Sequence, residues 1–412
     1  MQPYPALYES AVHAAAGGTI DALFGQRDYD PYQLDCLLHP RKHPPVVRLG
    51  PCGCDGEDGC CQTACFFGAI SRDNEGNAVV SGKDCVGCGA CIDACEAENL
   101  TDIKEVVPIF TMIQKEGLPV YALIAPATIS QFSPGTTPGR LRSAFKALGF
   151  TGMIEVALFA DILTLKEALE FDAAIMRDDD FMLTSCCCPL WVAMIRRDYG
   201  RLIPHMPPSV SPMVASGRAV KKLFPGAKTV FIGPCIAKKA EARQEDVADA
   251  VDYVLTFEET QAIFRAAHID PETLKADQRD HSSAAGRGYA RTGGVSEAVR
   301  ETLGRLRPKR RIPLAARQAD GMRACKAMLE DLKSGALSAN FWEGMGCEGG
   351  CVGGPKILTD RKTAAKNVVD YAGRATSRAP MDNAYVLELL RRLGFTTIES
   401  LTEGRNMFTR DF

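Results

Sequence analysis

The sequence predicts an α/β protein with parallel or mixed twisted sheets flanked by helices. From about residue 106 onward, short continuous apolar runs alternate with amphipathic helical stretches, a pattern typical of parallel strands covered on both faces. Cysteines directly follow two of these runs, at the strand ends where open α/β sheets place their sites. The chain has 412 residues, enough for about two to four domains with their own cores.

The composition indicates a metal-binding protein without a strong overall charge. The chain has 17 cysteines, mostly within 52–95 and 186–351, and a formal net charge of −3. No secretory signal pattern or long apolar run accompanies them, so we expect thiolates in a reducing cytoplasm and no disulfides. A cytoplasmic location without a membrane segment is the prediction, and the charge gives no indication of nucleic-acid binding.

The predicted elements begin with a short helix over residues 6–24, followed by a Pro- and His-containing segment that breaks regular structure. His39 and His43 in that segment are interpreted as solvated loop residues. The apolar runs predict strands over residues 120–126, 152–157, 181–185, 229–233 and 251–257. Helices are predicted over residues 141–148, 163–171 and 383–393, and after the loop 291–295.

Four closely spaced cysteines predict an iron–sulfur cluster in the N-terminal part. Cys85, Cys88, Cys91 and Cys95 form a C-x2-C-x2-C-x3-C run, the pattern of bacterial ferredoxins. Zinc is the alternative, but structural zinc sites usually place two C-x2-C pairs well apart, which favours the cube. Glu96 stands where the ferredoxin pattern usually has proline.

A second, irregular group of cysteines precedes this run. The resemblance to two-cluster ferredoxins implies that Cys65 ligates one cube with the first three cysteines of the run, and that Cys95 joins the other cube. The further candidates for that other cube are Cys52, Cys54, Cys60 and Cys61. Adjacent side chains project in different directions, so Cys60 and Cys61 are not expected to share a cube; Cys52, Cys54 and Cys61 are preferred, and the choice stays open.

Three further motifs, within residues 184–191, 233–241 and 345–355, bring cysteines from distant parts of the chain. Thiolates are soft ligands that select iron–sulfur clusters, zinc or copper(I). Four of them from three segments indicate a site between two folded halves. In order and spacing, these motifs resemble the three signature motifs of the iron-only (FeFe) hydrogenases, and the loop 291–295 also matches that family.

The resemblance implies a particular cofactor, the H-cluster, in which a 4Fe-4S cube is bridged to a two-iron unit carrying carbon monoxide, cyanide and a dithiolate amine. Its cube would be held by Cys188, Cys235, Cys347 and Cys351, with Cys351 as the bridging sulfur. Two more residues match family positions. Lys238 corresponds to the lysine that donates to a cyanide, and Met345 to the methionine packed against the two-iron unit.

The resemblance also implies a proton route, because a dry site has no water to supply protons. Cys187 occupies the family's relay position beside a cluster ligand. Glu167 and Glu170 match the relay glutamates, and their i, i+3 spacing places them on one helix face. Without the resemblance, a solvated acidic face would be the better interpretation of the two glutamates.

The implied function is the reversible interconversion of H2 with protons and electrons. Its partners would be a ferredoxin or flavodoxin as electron carrier, since no dinucleotide fingerprint follows any predicted strand, and hydrogenase maturation proteins. The alternative is a non-catalytic iron–sulfur assembly or redox-sensing protein of the same fold. Lys238 and Met345 together count against it.

The predicted domains are an N-terminal extension over residues 1–46 and a ferredoxin-like α+β domain with two 4Fe-4S clusters over 47–105. A catalytic domain of two lobes enclosing the H-cluster follows over 106–360, with a C-terminal helical segment over 361–412. Cys36 and Cys325 fall outside all motifs and are expected to be ordinary buried or free cysteines.

Several departures from the family pattern resemble its group B branch. Cys186 is an extra thiol where relatives have serine, Gly233 replaces a methionine, and Gly346 replaces an alanine. The glycine run after the last cluster cysteine is shortened. The usual relay serine falls on Pro207, which has no hydroxyl, so we expect either Ser209 or ordered water to bridge the two glutamates.

Overall fold

The computed structural model describes residues 2–23, 28–54, 59–184, 187–335 and 338–412. Within these ranges the strands are β1 (Val46–Arg48), β2 (Ile70–Arg72), β3 (Ala78–Val80), β4 (Leu100–Asp102), β5 (Val120–Ile124), β6 (Gly152–Glu155), β7 (Met182–Leu183), β8 (Lys228–Gly233), β9 (Tyr253–Thr256), β10 (Ala316–Asp320) and β11 (Phe341–Met345).

The helices of the same ranges are α1 (Tyr4–Gly17), α2 (Pro31–Leu38), α3 (Cys60–Thr63), α4 (Ala90–Asp93), α5 (Val106–Gln114), α6 (Pro138–Ala147), α7 (Ala157–Ala174), α8 (Pro189–Asp198), α9 (Pro212–Leu223), α10 (Ala237–Glu241), α11 (Phe257–Ala266), α12 (Ala284–Gly288), α13 (Gly294–Leu306), α14 (Met322–Lys333), α15 (Arg361–Gly373) and α16 (Ala384–Arg392). None of these helices is long and apolar enough to cross a bilayer.

The first lobe is built on a parallel sheet with strand order β6-β5-β8-β9. Alternate residues of β5 enter two different cores, as the period of a strand requires. Val120 and Ala122 pack with α1, α5 and α6, whereas Leu123 packs with α7 and α9. Both faces of the sheet are therefore covered by helices, which explains why its strands are continuous apolar runs.

The second lobe is built on a smaller parallel sheet with strand order β10-β11-β7. Its central strand β11 is buried along its whole length. The indole ring of Trp191 on α8 and the side chains of α14 pack against this sheet. Helix α13 lies near its other face, with Val295 and Val299 in a core shared with Phe341.

The N-terminal part contains two antiparallel strand pairs, β1-β4 and β2-β3, and the short helices α3 and α4. A buried group of charges joins it to the first lobe. The carboxylate of Asp102, with no exposed surface, lies 2.7 Å from Nζ of Lys104, 3.2 Å from Nζ of Lys239 and 3.3 Å from Nζ of Lys356. Lys239 Nζ also lies 2.7 Å from a carboxylate oxygen of Glu259.

The structure confirms the α/β fold class and a strand within each of the five predicted runs. Residues 181–185 contribute β7, which belongs to the second lobe, and Ser185 of that run lies outside the described residues. The predicted N-terminal helix is shorter than expected, since Gly18, at φ 74°, ends α1 in the left-handed conformation and a 3-10 turn, Ile20–Leu23, follows. Phe24, the end of that prediction, also lies outside the described residues.

Two expectations about residues outside the motifs have different outcomes. Cys36 and Cys325 are buried, as expected. The interpretation of His43 as a solvated residue is wrong, because its side chain is 13% exposed and its Nε2 lies 2.7 Å from Oδ2 of Asp35. His39 is about half exposed, as expected.

Candidate metal centre and proton route

A mostly apolar cavity lies between the two lobes, as is usual for cofactor pockets. The cysteines that line it are Cys187, Cys188, Cys235, Cys347 and Cys351, and Met345 and Lys238 line it as well. Its walls come from segments that follow β5, β6, β8 and β11. The cavity therefore lies at the carboxyl ends of strands from both sheets, where α/β folds place their sites.

Each of the four predicted cluster cysteines is presented by a strand end or a helix start. Cys188 caps the start of α8, and its Sγ accepts a hydrogen bond from the backbone N–H of Gly346 at 3.2 Å. Cys235 comes two residues after β8, and Cys347 two residues after β11. Cys351 begins the 3-10 turn Cys351–Gly353. The fold thus brings together four thiols that are far apart in sequence.

The environment of these thiols disfavours their ionised form. Burial raises the pKa of Cys235 to about 12 despite the opposing effect of Lys238, and it also raises the pKa of Cys351 to about 12. Loading must therefore displace protons, because metals bind the thiolate.

Lys238 supplies the positive charge of this cavity. Its Nζ donates a hydrogen bond of 2.6 Å to Oε2 of Glu241 on the same helix, and its side chain is 8% exposed. Burial alone lowers the pKa of Lys238, but the carboxylate of Glu241 more than offsets this effect and raises it above its ordinary value. The cavity therefore contains a fixed ammonium suited to an anionic ligand.

The two substituted glycines make room for neighbouring side chains. A Cβ atom at Gly233 would lie 2.6 Å from a ring carbon of Phe231, and one at Gly346 would lie 2.6 Å from Cβ of Leu190. Phe231 and Leu190 both line the cavity. Phe231 and Leu190 therefore shape the cavity wall at these positions, in place of the methionine and alanine side chains of the family pattern.

Of the residues predicted for proton transfer, Cys187 lines the cavity and the two glutamates lie on α7. The Cys187 thiol lies 3.9 Å from Sδ of Met345. Glu167 is 1% exposed, and burial, followed by the negative charge of Glu170, raises its pKa well above the usual value. Glu170 is 11% exposed, so the two glutamates do not form a solvated face. Ser209 donates a hydrogen bond of 3.0 Å to Oε2 of Glu170.

Two buried charged residues near this route were not identified from the sequence. Lys166, 1% exposed, contacts both Ser209 and Glu170. Glu343 on β11 accepts hydrogen bonds of 2.8 Å from the backbone N–H groups of Gly293 and Ser296 and so caps α13. The i, i+4 spacing of Lys166 and Glu170 is a signal for their pairing, whereas nothing local indicates the partner of Glu343.

The N-terminal cysteines lie in two groups. The pKa of Cys91 is raised by burial and then by the nearby thiolates of Cys88, Cys85 and Cys65. Backbone N–H groups lie 3.1 Å from Sγ of Cys65 and 3.3 Å from Sγ of Cys95. Such N–H···S contacts are typical of the surroundings of iron–sulfur clusters.

The second group contains five thiols, those of Cys52, Cys54, Cys60, Cys61 and Cys95. The pKa of Cys61 is raised by burial and then by Cys60, Cys52 and Cys95. The pKa of Cys54 is raised by the same causes in the same order. Cys61 is 4% exposed within the small core of this region, whereas Cys60 is half-buried. This burial favours Cys61 over Cys60 as a ligand. The extra thiol at Cys186 lies outside the described residues.

The loop between Cys85 and Cys88 packs against the segment that carries Cys235. A Cβ atom at Gly87 would lie 3.0 Å from the backbone oxygen of Ile236, the residue after Cys235. Cys88 also lies in the same hydrophobic cluster as Cys235 and Cys347. The two groups of cysteines are therefore neighbours in space.

Comparison with characterised proteins links the chain to hydrogenases and to iron–sulfur assembly proteins. Iron hydrogenase 1 of Clostridium pasteurianum is 26% identical over 256 residues, 52% of this chain and 45% of that protein. The NADP-reducing hydrogenase subunit HndD of Solidesulfovibrio fructosivorans is 26% identical over 91% of this chain and 76% of its own length. Cytosolic iron-sulfur assembly component 3 of Pongo abelii is 24% identical over 76% of this chain and 79% of its own length.

A solved structure and a family match agree with the fold described above. A variant of FeFe-hydrogenase HydA1 from Chlamydomonas reinhardtii superposes with a TM-score of 0.59 at 21% identity, covering 71% of this chain and 93% of that one. This likeness establishes the fold. Residues 118–355 match the family described as iron only hydrogenase large subunit, C-terminal domain. The chain therefore belongs to the iron-only hydrogenase large-subunit family, and this membership supports the binding of an iron–sulfur cofactor.

Proposed function

We propose that the protein is an iron-only hydrogenase that interconverts H2 with protons and electrons. The observation that carries this proposal is the cavity in which four cysteines from both lobes meet a buried lysine and a methionine. Four thiols alone would suit any iron–sulfur cube. The ammonium of Lys238 and the thioether of Met345 add a donor for an anionic ligand and a soft apolar wall, which a plain cube does not require.

The residues fit the H-cluster as follows. Cys188, Cys235, Cys347 and Cys351 would hold the cube, with Cys351 as the sulfur shared with the two-iron unit. Bound there, the H-cluster would supply the open iron at which H2 is formed or split. Lys238 would donate to a cyanide ligand, and the apolar wall would exclude water.

The proton route is proposed to run from the cavity toward α7. Cys187 is its inner end, and Glu167, Ser209 and Glu170 follow. The hydrogen bond from Ser209 to Glu170 supports Ser209 as the replacement for the hydroxyl that Pro207 lacks. The raised pKa of Glu167, caused first by burial, means that its carboxyl holds a proton more readily than an exposed glutamate does, as a proton carrier requires.

Membership of the group B branch is part of this proposal. It is supported by the departures at Gly233 and Gly346, which the structure links to a cavity wall formed by Phe231 and Leu190. The second candidate function is an iron–sulfur assembly protein, favoured by the similarity to cytosolic iron-sulfur assembly component 3 over three quarters of the chain.

The two candidates differ in whether a two-iron unit is bound. Expression with the hydrogenase maturation proteins is expected to give infrared bands of bound carbon monoxide and cyanide, and H2 production from a reduced viologen dye. The unmatured protein is the control, since it should show neither. Normal cube spectra with neither diatomic bands nor H2 after maturation would favour the assembly function.

Electrons are proposed to enter from a ferredoxin or flavodoxin through two 4Fe-4S clusters. One cluster would be held by Cys65, Cys85, Cys88 and Cys91, and the other by Cys95 with Cys52, Cys54 and Cys61. The contact between Gly87 and Ile236 supports a short path from the first of these clusters to the cavity.

We expect Cys88→Ala to reduce ferredoxin-driven H2 production to near background, because the cluster closest to the cavity would lose a ligand. Turnover with reduced ferredoxin is the measurement. Cys36→Ala is the matched control, since it removes a buried thiol outside the motifs and should leave turnover intact. Direct reduction by NADH at a comparable rate, or full ferredoxin-driven turnover in Cys88→Ala, would contradict this electron path.

A further inference from the structure

A lysine is buried beside the two glutamates of the proposed proton route. The side chain of Lys166 is 1% exposed and forms an ion pair with Glu170, one helical turn further along α7. Its Nζ also donates a hydrogen bond of 2.7 Å to Oγ of Ser209. Lysine is almost never fully buried without a partner, because removing an ammonium from water is costly. The position of Lys166 is therefore built around these two contacts.

A second cavity, here called the outer cavity, opens to solvent and leads to this ion pair. Both Lys166 and Glu170 line it. The other charged or titratable side chains that line the cavity are Arg177, Asp179, Asp180 and His205. Glu167 acts on the pair electrostatically from within α7. Protons from solvent can thus reach Glu170 through a polar opening, and Glu170 is the outermost carboxylate of the proposed route.

The hydrogen bonds fix the direction of the Ser209 hydroxyl. An ammonium can only donate, so Oγ of Ser209 accepts from Lys166. The Ser209 hydroxyl hydrogen is then directed to Oε2 of Glu170, at 3.0 Å. Burial raises the pKa of Glu170, and the charge of Lys166, followed by hydrogen bonds from Lys166 and Ser209, opposes this rise. Lys166 thus orients Ser209 and favours the ionised form of Glu170.

We propose that Lys166 is a positioning residue of the proton route, which favours the ionised form of Glu170 and orients Ser209 so that Glu170 can accept a proton from the outer cavity. The inference rests on the proposed function, since a proton route needs a site that consumes or releases protons. In an inward transfer, a carboxylate oxygen of Glu170 gains a proton from water in the outer cavity and later passes it inward. In an outward transfer, the same oxygen gains the proton from the inner side and releases it to that water.

The test measures the protonation of Glu170 in the full chain carrying its cubes but no two-iron unit. Infrared difference spectra across a pH series report the carbonyl band of the protonated carboxyl, assigned by its loss in Glu170→Gln. In Lys166→Met, we expect this band to persist to higher pH than in the wild type by roughly one unit or more, because a nearby positive charge lowers a carboxyl pKa by about that amount. Lys166→Arg keeps the charge and should titrate close to the wild type.

Two results would overturn the proposal: an unchanged titration in Lys166→Met, or equal shifts in Lys166→Met and Lys166→Arg. The double variant Lys166→Met/Glu170→Gln removes both charges. If it folds where Lys166→Met alone does not, the folding defect of Lys166→Met comes from the unpaired carboxylate of Glu170. In matured protein, the pH optimum of turnover should move upward in Lys166→Met and not in Lys166→Arg. The titration requires no two-iron unit, so it still tests Lys166 if the proposed function fails.

Discussion

Replacement of Cys351 by serine is expected to abolish H2 turnover together with the diatomic infrared bands. In the proposed site, Cys351 is the sulfur common to the cube and the two-iron unit, so its loss removes a ligand from both. An alcohol is a much poorer ligand for iron–sulfur clusters than a thiolate. Matured Cys351→Ser would be measured by infrared spectroscopy, iron content and viologen-driven H2 production.

Two matched variants control for this substitution. Cys325 is fully buried near the same site, with its Sγ 3.3 Å from the backbone oxygen of Met345, but it does not line the cavity. Cys325→Ser should therefore keep the bands and most of the turnover. Cys186→Ser should do the same if Cys186 is a neighbour of the site and not a ligand. Equal loss in Cys351→Ser and both controls would refute the ligand assignment.

The second large effect is expected in the proton route. Glu167→Gln should slow turnover severely, since an amide cannot carry a proton between Cys187 and the outer residues. Ser209→Ala should slow it by roughly 10²-fold, as the loss of a positioned proton carrier typically does. In both variants the infrared and cube spectra should stay unchanged, so the defect appears only in the turnover rate.

The control for Ser209→Ala is Ser211→Ala, two residues on. Ser211 is fully buried, but its Oγ caps α9 by accepting from the N–H of Val214 at 3.3 Å and has no part in the route. We expect Ser211→Ala to cost about 1 kcal/mol of stability and to leave turnover unchanged. A silent Ser209→Ala with a crippled Glu167→Gln would indicate that water carries the proton across this gap. If both were silent, the proposed route would be wrong.

The strands of the first lobe could be predicted because each is a continuous apolar run between two helical layers. Strands β10 and β11 could not be predicted from the sequence. The sequence of β10, Ala-Arg-Gln-Ala-Asp, has the mixed polarity of a half-exposed edge strand. Strand β11 contains Glu343, whose buried carboxylate is satisfied by the start of α13, about fifty residues away. Such a long-range partner leaves no local pattern.

The candidate site shows the same division between local pattern and long-range contact. The spacing of the cysteines within the motifs indicated a metal centre, whereas Lys238 and Met345 were singled out only by their match to positions in the motifs of the iron-only hydrogenases. Lys166 was missed because a lysine in a helix normally faces solvent. Its burial depends on Ser209, which comes from a different segment and meets α7 only in the folded protein.

The charges around Asp102 have a consequence for the modularity of this chain. Lys239 comes directly after Lys238, so one helix turn contributes an ammonium to the cavity and another to the junction with the cysteine-rich N-terminal part. If the two parts were separated, Lys239 would keep Glu259 but lose Asp102. Asp102 would lose two of its three cations, Lys239 and Lys356. Gain or loss of the cysteine-rich N-terminal part is therefore not a neutral event in evolution, because loss of residues 1–105 would also require a new charge balance in the first lobe.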